Sequence, residues 1–369
     1  MRKRWNITGY AIHTVAGTDS NINLNSDCGF TESKNSGWTK CIDKTNLETV
    51  RAVIEKTVQR AINKSNIDHE HGLIISLVVA SNFFENVFWE QEKLTTVSAE
   101  NYIICCLRES CHINGMILCN STACSSGGSA IVTACHILDD NKSDVIIVLG
   151  YDMESEIPKC GMKRIGAISK DRIAPFSLGR TGTDLADGIG CLVIENNNSV
   201  MTRDKNIYAS IIGYGVSCDG YNVTSPEPSG KALYKAMLKA INMSGIKLSQ
   251  IGYVNAHGSG TILNDVLETR VIKKVFQQEA YNLLVNSSKS MIGHTLGAAG
   301  IIEAIITIME MNTGIIHSTV NYIKKDEECD LNYCFEKKTN QDIKYAISNS
   351  IGFGGINVCL VLERGIRSV

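Results

Sequence analysis

Residues 120–134 of the chain, NSTACSSGGSAIVTA, place one cysteine among small side chains, and an apolar segment with helical spacing follows at once. The polar residues before Cys124 and the glycines at 127 and 128 predict a tight strand-to-helix turn with the thiol at the helix N-terminus. Unpaired backbone N–H groups and the helix dipole favour the reactive thiolate in that position. The stretch alone fits a buried structural cysteine equally well, because cysteine is among the most buried residue types.

Short apolar runs on either side of this turn predict buried strands at residues 73–80, 144–149, 190–194, 251–255, 283–286, 345–348 and 357–362. Segments with helical spacing lie between them, at residues 48–62, 126–138, 231–242, 267–277 and 298–311. Fully buried strands that alternate with helices indicate an α/β fold whose helices cover a sheet. The polar segments 150–180 and 321–342 are expected to form loops over the ends of that sheet.

The length of 369 residues allows two domains, or one large domain built from two halves. A polar stretch at residues 196–206 predicts the connection between them, so we expect an N-terminal half over residues 1–205 and a C-terminal half over residues 206–369. Hydrophobic residues make up 44% of the chain and charged residues 20%, as in ordinary soluble globular proteins.

The formal net charge of −2 gives the molecule as a whole no attraction for nucleic acid or anionic membranes, so neither is expected as a partner. The 14 cysteines are scattered without disulfide-framework or zinc spacing, which predicts free thiols in a reducing compartment and no metal site. The basic N-terminus lacks the apolar run of a signal peptide, and no window is expected to span a membrane. We therefore expect a cytoplasmic enzyme or binding protein.

Two histidines and a lysine follow other predicted strand ends. Residues 254–261, VNAHGSGT, carry His257 just beyond a strand, and residues 286–300, NSSKSMIGHTLGAAG, carry Lys289 and His294 at the start of a Gly/Ala-rich helix. A helix N-terminus or a neighbouring lysine favours the neutral imidazole, which donates one hydrogen bond without acting as an acid. Taken one at a time, each histidine fits a hydrogen-bonded structural role, and Lys289 fits a surface ion pair.

Residues 349–357, NSIGFGGIN, place three glycines around Phe353 between two predicted strands. The glycines predict a turn with positive φ angles and an aromatic side chain that is free to swing, although a simple hairpin with Phe353 in the core has the same pattern. The thiol, the two imidazoles and the lysine can all meet at one edge of a sheet. An acyl-carrying thiol beside two neutral imidazoles suits decarboxylative Claisen condensation, because the imidazoles hold an enolate oxygen.

Four ordered motifs, TACSSGGSA, NAHGSGT, SSKSMIGHTLGAAG and SNSIGFGGIN, resemble the signature sequences of the β-ketoacyl-acyl carrier protein synthases, the elongating condensing enzymes of fatty acid and polyketide synthesis. The resemblance is nearly continuous over residues 251–363, good over 115–195 and faint over 1–114. It implies the thiolase fold, with two similar βαβαβαββ halves in five layers, αβαβα. It also implies a discrete, type II acyltransferase without metal or redox cofactor, whose substrates ride on the phosphopantetheine of an acyl carrier protein.

The resemblance assigns a role to each motif residue. Cys124 would be the acylated nucleophile, and its backbone N–H and that of Phe353 would form the oxyanion hole, with the Phe353 side chain as a gate for the acyl chain. His257 and His294 would bind the thioester oxygen of a malonyl-type extender and promote its decarboxylation. Lys289 would orient and polarise this histidine pair.

Three further implications concern partners. Glu303 would be the ionic partner of Lys289, and the expected assembly is a homodimer, or a heterodimer with a ketosynthase-like subunit. Carrier proteins are acidic, so a locally basic docking surface is expected despite the balanced net charge. The candidates for that surface, any single one of which fits a solvated loop better, are Lys163, Arg164, Lys170 and Arg172.

Several positions depart from the family pattern although the motif residues are kept. The segment before Cys124 is shorter than usual, residues 81–84 read SNFF where glycines are usual, and His317-Ser318 replaces a proline pair. These changes predict an altered acyl pocket and an elongating synthase of a specialised pathway. Two alternatives stay open: an acyltransferase that uses the same cysteine without condensation, and a non-catalytic partner subunit of a ketosynthase heterodimer.

Overall fold

Strands and helices alternate along the chain in the computed structural model, which describes residues 3–22, 41–67, 72–90, 101–196, 205–335 and 339–365. In chain order the strands are β1 (Trp5–Thr14), β2 (Gly17–Thr18), β3 (Ile75–Ala80), β4 (Ile117–Asn120), β5 (Val145–Asp152), β6 (Gly188–Glu195), β7 (Ala209–Cys218), β8 (Ile251–Asn255), β9 (Leu284–Asn286), β10 (Ile315–Ile316), β11 (Thr339–Asn340), β12 (Tyr345–Ile351) and β13 (Ile356–Arg364). The α-helices are α1 (Leu47–Ser65), α2 (Asn86–Glu90), α3 (Tyr102–Ser110), α4 (Ser126–Asp139), α5 (Glu156–Arg164), α6 (Lys231–Ser244), α7 (Ile262–Phe276), α8 (Lys289–Ile292) and α9 (Ala299–Thr313).

The two halves of the chain repeat one strand order. Hydrogen-bonded neighbours run β1-β6-β5-β3-β4 in the N-terminal half and β7-β13-β12-β8-β9 in the C-terminal half. Leaving the two-residue strands aside, the first strand of each half is followed by its fifth, fourth, second and third. In both halves the three outermost strands pair in parallel and the others antiparallel. Antiparallel pairing of β1 with β7 joins the halves, and the predicted duplication is confirmed.

Helices α4 and α9 form the middle layer between the two halves of the sheet, and glycines allow them to approach closely. A Cβ on Gly127 would lie 2.7 Å from the backbone N of Ile301, and a Cβ on Gly300 would lie 2.6 Å from the backbone N of Gly128. Apolar side chains of both helices and both sheet halves fill one central core. Helix α1 covers the N-terminal half from outside and α6 covers the C-terminal half, each over its own core. These are the five layers, αβαβα, of the prediction.

The parallel strands of the C-terminal half end side by side, and this arrangement positions the site. Ser348 of β12 pairs with Asn255 of β8, which in turn pairs with Asn286 of β9. The segments that leave β8, β9 and β12 therefore start from one edge of the sheet. His257, Lys289 and Phe353 lie in these three segments.

Two central strands, β1 and β7, were not among the predicted elements. Polar residues interrupt the apolar pattern of β1, but Asn6 and Thr8 are buried, and the Thr8 hydroxyl donates to Glu195 (2.5 Å). The predicted loop over residues 150–180 is wrong in its middle, because α5 forms there. Glu156 and a proline in the first turn are start signals for this helix, and the Glu90 carboxylate accepts the backbone N–H groups of Glu156 (2.9 Å) and Ile157 (3.2 Å).

The stretch Leu296–Thr313 meets the length and composition of a membrane span, contrary to the expectation that no window does so. It contains α9 and the turn before it. In the fold 89% of these residues are buried, as expected for a helix of the middle layer. The predicted boundary between residues 205 and 206 stays a prediction, since the neighbouring residues 197–204 lie outside the described part of the chain.

Candidate active site

Cys124 lies in the turn between β4 and α4, where the sequence predicts it. Ala123, the residue before it, has a φ of 53°, an uncommon left-handed conformation for a residue with a side chain. The backbone N–H groups of Ser125 and Ser126 close the turn on the carbonyl oxygens of Thr122 (3.3 Å) and Ala123 (3.0 Å). This sharp turn leaves Cys124 only 7% exposed, at the base of a cavity.

Burial raises the pKa of the Cys124 thiol to about 11, although the Lys289 charge and a hydrogen bond from the backbone N–H of Phe353 act in the opposite direction. The thiol is therefore protonated at neutral pH. A helix N-terminus lowers a cysteine pKa only where the thiol is partly exposed, and at this buried position the loss of hydration exceeds the stabilisation by nearby amides. The backbone N–H of Phe353 lies within hydrogen-bonding reach of the sulfur.

His257 follows β8 and is held through the backbone. Its N–H donates to Glu268 Oε1 (2.9 Å), and the N–H of Gly258 donates to Oε2 of the same carboxylate (2.9 Å). The side-chain amide of Asn349 in β12 also donates to Glu268 (3.1 Å). Glu268 lies on α7 and is fully buried, so it fixes the end of β8 against β12.

Lys289 is buried next to His257. Its Nζ donates to the backbone carbonyl oxygen of His257 (2.7 Å) and lies 3.3 Å from Nδ1 of the ring. The same ammonium forms an ion pair with Glu303 of α9, and both side chains are fully buried. The alternative of a surface ion pair is therefore wrong. Burial raises the pKa of Glu303 to about 7, and the charge of Lys289 opposes that rise.

His294 follows α8, and its ring lies 5.7 Å from the ring of His257 between centroids, at an interplanar angle of 80°. Its Nδ1 accepts a hydrogen bond from the backbone N–H of Leu296 (3.2 Å). Burial, followed by the charge of Lys289, lowers the pKa of both histidines well below the ordinary value, which confirms the prediction of neutral rings. Because Nδ1 of each ring faces a donor, each neutral ring carries its proton on Nε2.

Phe353 lies in the turn between β12 and β13. Gly354 and Gly355 have φ angles of 78° and 80°, which confirms the predicted positive-φ turn. The Phe353 ring is half-buried and packs against Met162 and Leu296, outside the large cores. The alternative that places Phe353 in the core of a simple hairpin is therefore wrong.

Two cavities meet at Cys124 and Phe353. The first, of about 280 Å³, is lined by His257 and His294 and by polar residues of the following loops, among them Ser259, Thr261 and Asn264. The second, of about 520 Å³, is mainly apolar and is lined by Phe83, Ile157, Pro158, Met162, Ile165 and Leu296. We call the first the polar cavity for the histidines and hydroxyl groups that it holds, although most of its lining is apolar, and the second, whose lining is almost wholly apolar, the apolar cavity.

The four basic residues proposed for carrier docking are exposed and lie outside both cavities. Lys163 and Arg164 are in the last turn of α5, not in a loop, while Lys170 and Arg172 follow in irregular chain. Ile165, between the two pairs, lines both cavities. The basic residues therefore stand near the openings of the cavities without contacting the thiol.

Sequence reasoning missed three buried carboxylates that shape the site. Glu268 holds the His257 loop, as described above. Asp265 accepts hydrogen bonds from the N–H groups of Phe176 (2.9 Å) and Gly260 (3.2 Å), and it lies within 3.3 Å of the buried Arg180. Asp152, at the end of β5, accepts hydrogen bonds from the backbone N–H groups of Asn82, Phe83 and Gly297. An acidic residue on an otherwise apolar helix face or strand was the available signal for each.

Among the described residues, no three His, Cys, Asp or Glu side chains are grouped as a metal site requires.

Solved ketosynthase structures share the fold of this chain. A type II polyketide synthase ketosynthase, solved with its acyl-carrier protein and bound to the hexaketide, matches 99% of this chain and 100% of its own, with a TM-score of 0.85 and 23% identity. A beta-ketoacyl synthase from Burkholderia phymatum matches over the same shares, with a TM-score of 0.83 and 23% identity. The fold is thus the thiolase fold of condensing enzymes, as predicted.

Sequence comparisons then give the family. The beta-ketoacyl synthase N-terminal domain matches residues 50–199 and the beta-ketoacyl synthase C-terminal domain matches residues 208–323. A 3-oxoacyl-[acyl-carrier-protein] synthase 2 of Synechocystis sp. is 36% identical over 253 residues, 67% of this chain and 61% of that protein. Its counterpart in Staphylococcus aureus is 37% identical over 249 residues, 66% of this chain and 60% of that protein. The chain belongs to the beta-ketoacyl synthase family, and these matches span about three fifths of the curated relatives' length.

Proposed function

We propose that the chain is a ketosynthase that condenses an acyl group held on Cys124 with a malonyl-type extender, with loss of CO₂. The observation that carries this proposal is the pair of neutral rings, His257 and His294, that lines one cavity with Cys124. Two Nε2–H donors stabilise an enolate oxygen, and neither is acidic enough to protonate the enolate carbon prematurely. This donor set suits carbon–carbon bond formation better than hydrolysis, which needs a base to activate water.

In the first half-reaction, the Cys124 sulfur attacks the carbonyl carbon of an acyl thioester. A new acyl–sulfur bond forms at Cys124, the bond to the donor sulfur breaks, and the thiol proton leaves with the departing pantetheine thiol. One thiol replaces another, so a protonated resting thiol is compatible with the step. The N–H groups of Cys124 and Phe353 form the oxyanion hole, in which one donor is typically worth about 10²–10³ in rate.

In the second half-reaction, the malonyl thioester enters the polar cavity with its carbonyl oxygen at the two Nε2–H groups of His257 and His294. The carbon–carbon bond to the carboxylate breaks, CO₂ leaves, and its electron pair forms the enolate. The enolate carbon then attacks the acyl carbon on Cys124, and the 3-oxoacyl thioester is released as the sulfur departs. One proton from solvent restores the Cys124 thiol. Lys289, paired with Glu303, holds the His257 ring for this step.

The two cavities divide the substrates between them in this proposal. The apolar cavity takes the acyl chain, because its lining offers few partners for polar groups and favours burial of methylene groups. The polar cavity takes the phosphopantetheine arm of an acyl carrier protein. Lys163, Arg164, Lys170 and Arg172 form the carrier-docking surface, and Phe353, which borders both cavities, is the gate between them. No metal or redox cofactor takes part.

The assembly and the pathway are part of the same proposal. One solved neighbour is an ishigamide ketosynthase/chain length factor, with a TM-score of 0.83 and 20% identity. By analogy, this chain is the active member of a homodimer, or of a heterodimer with a ketosynthase-like subunit. The departures from the family pattern at residues 81–84 and 317–318 support a specialised pathway, and the scattered free thiols support a location in the cytoplasm.

The test supplies purified protein with an acyl-carrier thioester and a malonyl-carrier thioester, and it follows CO₂ release and the 3-oxoacyl product by mass spectrometry. We expect product from the wild type, and no acyl adduct from Cys124→Ala. His294→Ala should keep the adduct but lose about 10²–10³ of the decarboxylation rate, while the exposed His136→Ala serves as control. An adduct without CO₂ release would favour the non-condensing acyltransferase, and no adduct would favour the non-catalytic subunit.

A further inference from the structure

Asp152, the last residue of β5, is fully buried and accepts hydrogen bonds from two separate turns. On one side the donors are the Ser81 hydroxyl (2.8 Å) and the backbone N–H groups of Asn82 (3.1 Å) and Phe83 (3.1 Å). On the other side the donor is the backbone N–H of Gly297 (2.7 Å). A single carboxylate thus joins the segment after β3 to the segment before α9.

The first turn leads to the nucleophile. Asn82 and Phe83 line the apolar cavity together with Cys124. The side-chain oxygen Oδ1 of Asn82 accepts from the Ser126 hydroxyl (2.8 Å), and the oxygen of that hydroxyl accepts from the backbone N–H of Thr122 (2.8 Å). The turn held by Asp152 is therefore bonded to residues on both sides of the cysteine.

The second turn leads to His294. Gly297 lies next to Leu296, whose N–H donates to Nδ1 of His294 and thereby keeps the ring proton on Nε2. The contact is close, because a Cβ on Gly297 would lie 2.8 Å from Oδ2 of Asp152. Fixing Gly297 fixes the amide that orients the histidine.

We propose that Asp152 is a positioning residue that locks the cysteine turn and the His294 turn into one geometry, so that acyl transfer and decarboxylation occur at a common point. The inference rests on the proposed condensation, in which both groups act on one reacting pair. Asp152 touches no substrate and acts through Asn82 and Gly297.

The test is the isosteric variant Asp152→Asn, which places an NH₂ group against N–H donors. We expect the rates of Cys124 acylation and of malonyl decarboxylation each to fall about tenfold to a hundredfold, with KM unchanged, in a folded protein. A second variant, Asn82→Ala, removes the hydrogen bond to Ser126 and keeps the backbone N–H that Asp152 accepts. It should slow acylation and leave decarboxylation at the wild-type rate.

The pH profile of Cys124 alkylation by iodoacetamide distinguishes this role from a purely structural one, which would leave the profile unchanged. The negative charge of Asp152 is one of the influences that raise the pKa of Cys124. Asp152→Asn should therefore shift the profile to lower pH while it slows enzymatic acylation. The control is Asp19→Asn, since Asp19 is also a buried carboxylate that accepts a backbone N–H, from Ile12. It should lower stability and leave both rates and the profile unchanged.

Two results would overturn the proposal: wild-type rates and profile in Asp152→Asn, or losses of the same size in Asp19→Asn. If the wild type neither acylates Cys124 nor decarboxylates malonyl thioester, the proposed function fails instead. The alkylation profile needs no natural substrate, so it tests the influence of Asp152 on the thiol in either case. If Asp152→Asn does not fold, the selective loss expected for Asn82→Ala decides the question, and equal losses in both steps would contradict it.

Discussion

The ammonium of Lys289 lies 3.3 Å from Nδ1 of the His257 ring and 2.7 Å from the carbonyl oxygen of the same residue. A cation with three donors at this place makes Nδ1 an acceptor, so the ring proton resides on Nε2. Leu296 has the same effect on His294 through its backbone N–H. The lysine thus acts on the site by fixing which nitrogen of the His257 ring carries the proton.

Replacing Lys289 by Met should raise the pKa of both active-site histidines. Burial is the larger cause of their low pKa values and the charge of Lys289 is the next, so the shift should be upward but should stop short of the ordinary value. The measurement is an NMR titration of the ring C–H signals between pH 4 and 8. The wild-type rings should stay neutral through most of this range, and identical curves for wild type and Lys289→Met would contradict the assignment of the charge effect.

The reactivity of Cys124 should keep rising with pH far beyond neutrality. Its pKa of about 11 in the folded protein means that the thiolate fraction grows about tenfold per pH unit from pH 7 to 10. Peptide mass spectrometry of iodoacetamide-treated protein measures this rate. In the urea-unfolded chain, the same peptide should follow the ordinary cysteine pKa of about 8.5. A plateau by pH 8 in the folded protein would show that the helix N-terminus does hold a thiolate.

How well each part of the site could be predicted depends on how far apart in the sequence the contacting residues lie. His257 and Phe353 sit where a short apolar run gives way to glycine-rich chain, and this local signal placed both at strand ends correctly. Asp152 gave no such signal, because its partners Asn82 and Gly297 lie 70 and 145 residues away. Long-range pairing of this kind exists only once the sheet has formed.

The sequence pattern also could not predict which of the polar and charged side chains are buried. Lys289 fits a surface ion pair by its sequence, yet it is fully buried against Glu303. The burial of Cys124 stayed open for the same reason, although the predicted helix start is correct. The strand β1 escaped notice because its buried threonine and asparagine break the apolar run. A strand with buried, hydrogen-bonded polar side chains lacks the continuous apolar run from which a strand is predicted.

The close contact between the two middle helices should make Gly127 intolerant of a methyl group. A Cβ there would lie 2.7 Å from the backbone N of Ile301, and backbone atoms of a packed helix cannot move aside freely. Gly127→Ala should lower the free energy of unfolding by about 1–3 kcal/mol, measured by urea denaturation. The matched control is Gly161→Ala in α5, where a Cβ meets no atom within 4 Å and should stabilise by about 0.5–1 kcal/mol. If Gly127→Ala and Gly161→Ala changed the free energy of unfolding by similar amounts, the close contact between α4 and α9 would not determine the effect at Gly127.

Reversing the charge of Lys163 and Arg164 should weaken the use of carrier-bound substrates only. Both residues are exposed at the end of α5, and acidic carrier proteins are attracted to basic surfaces mainly through faster encounter. The variant with Lys163→Glu and Arg164→Glu should lose about tenfold in kcat/KM for acyl-carrier substrate at low salt, with kcat unchanged. The loss should shrink as ionic strength rises, because salt screens exposed charges over about 10 Å at 0.1 M. Acyl pantetheine without the carrier should react at the wild-type rate.

The control for this docking surface is the variant with Lys235→Glu and Lys239→Glu. Both are exposed lysines, but they lie on α6, none of whose residues lines either cavity. This variant changes the net charge by the same amount without touching the proposed surface, so its kcat/KM for the carrier substrate should stay within about twofold of the wild type. Equal losses for the carrier substrate and for free acyl pantetheine would mean that the change at α5 distorts the adjoining cavities, which Ile165 lines. Equal losses in the two charge variants would mean that only overall charge matters, and either result would remove Lys163 and Arg164 from the docking surface.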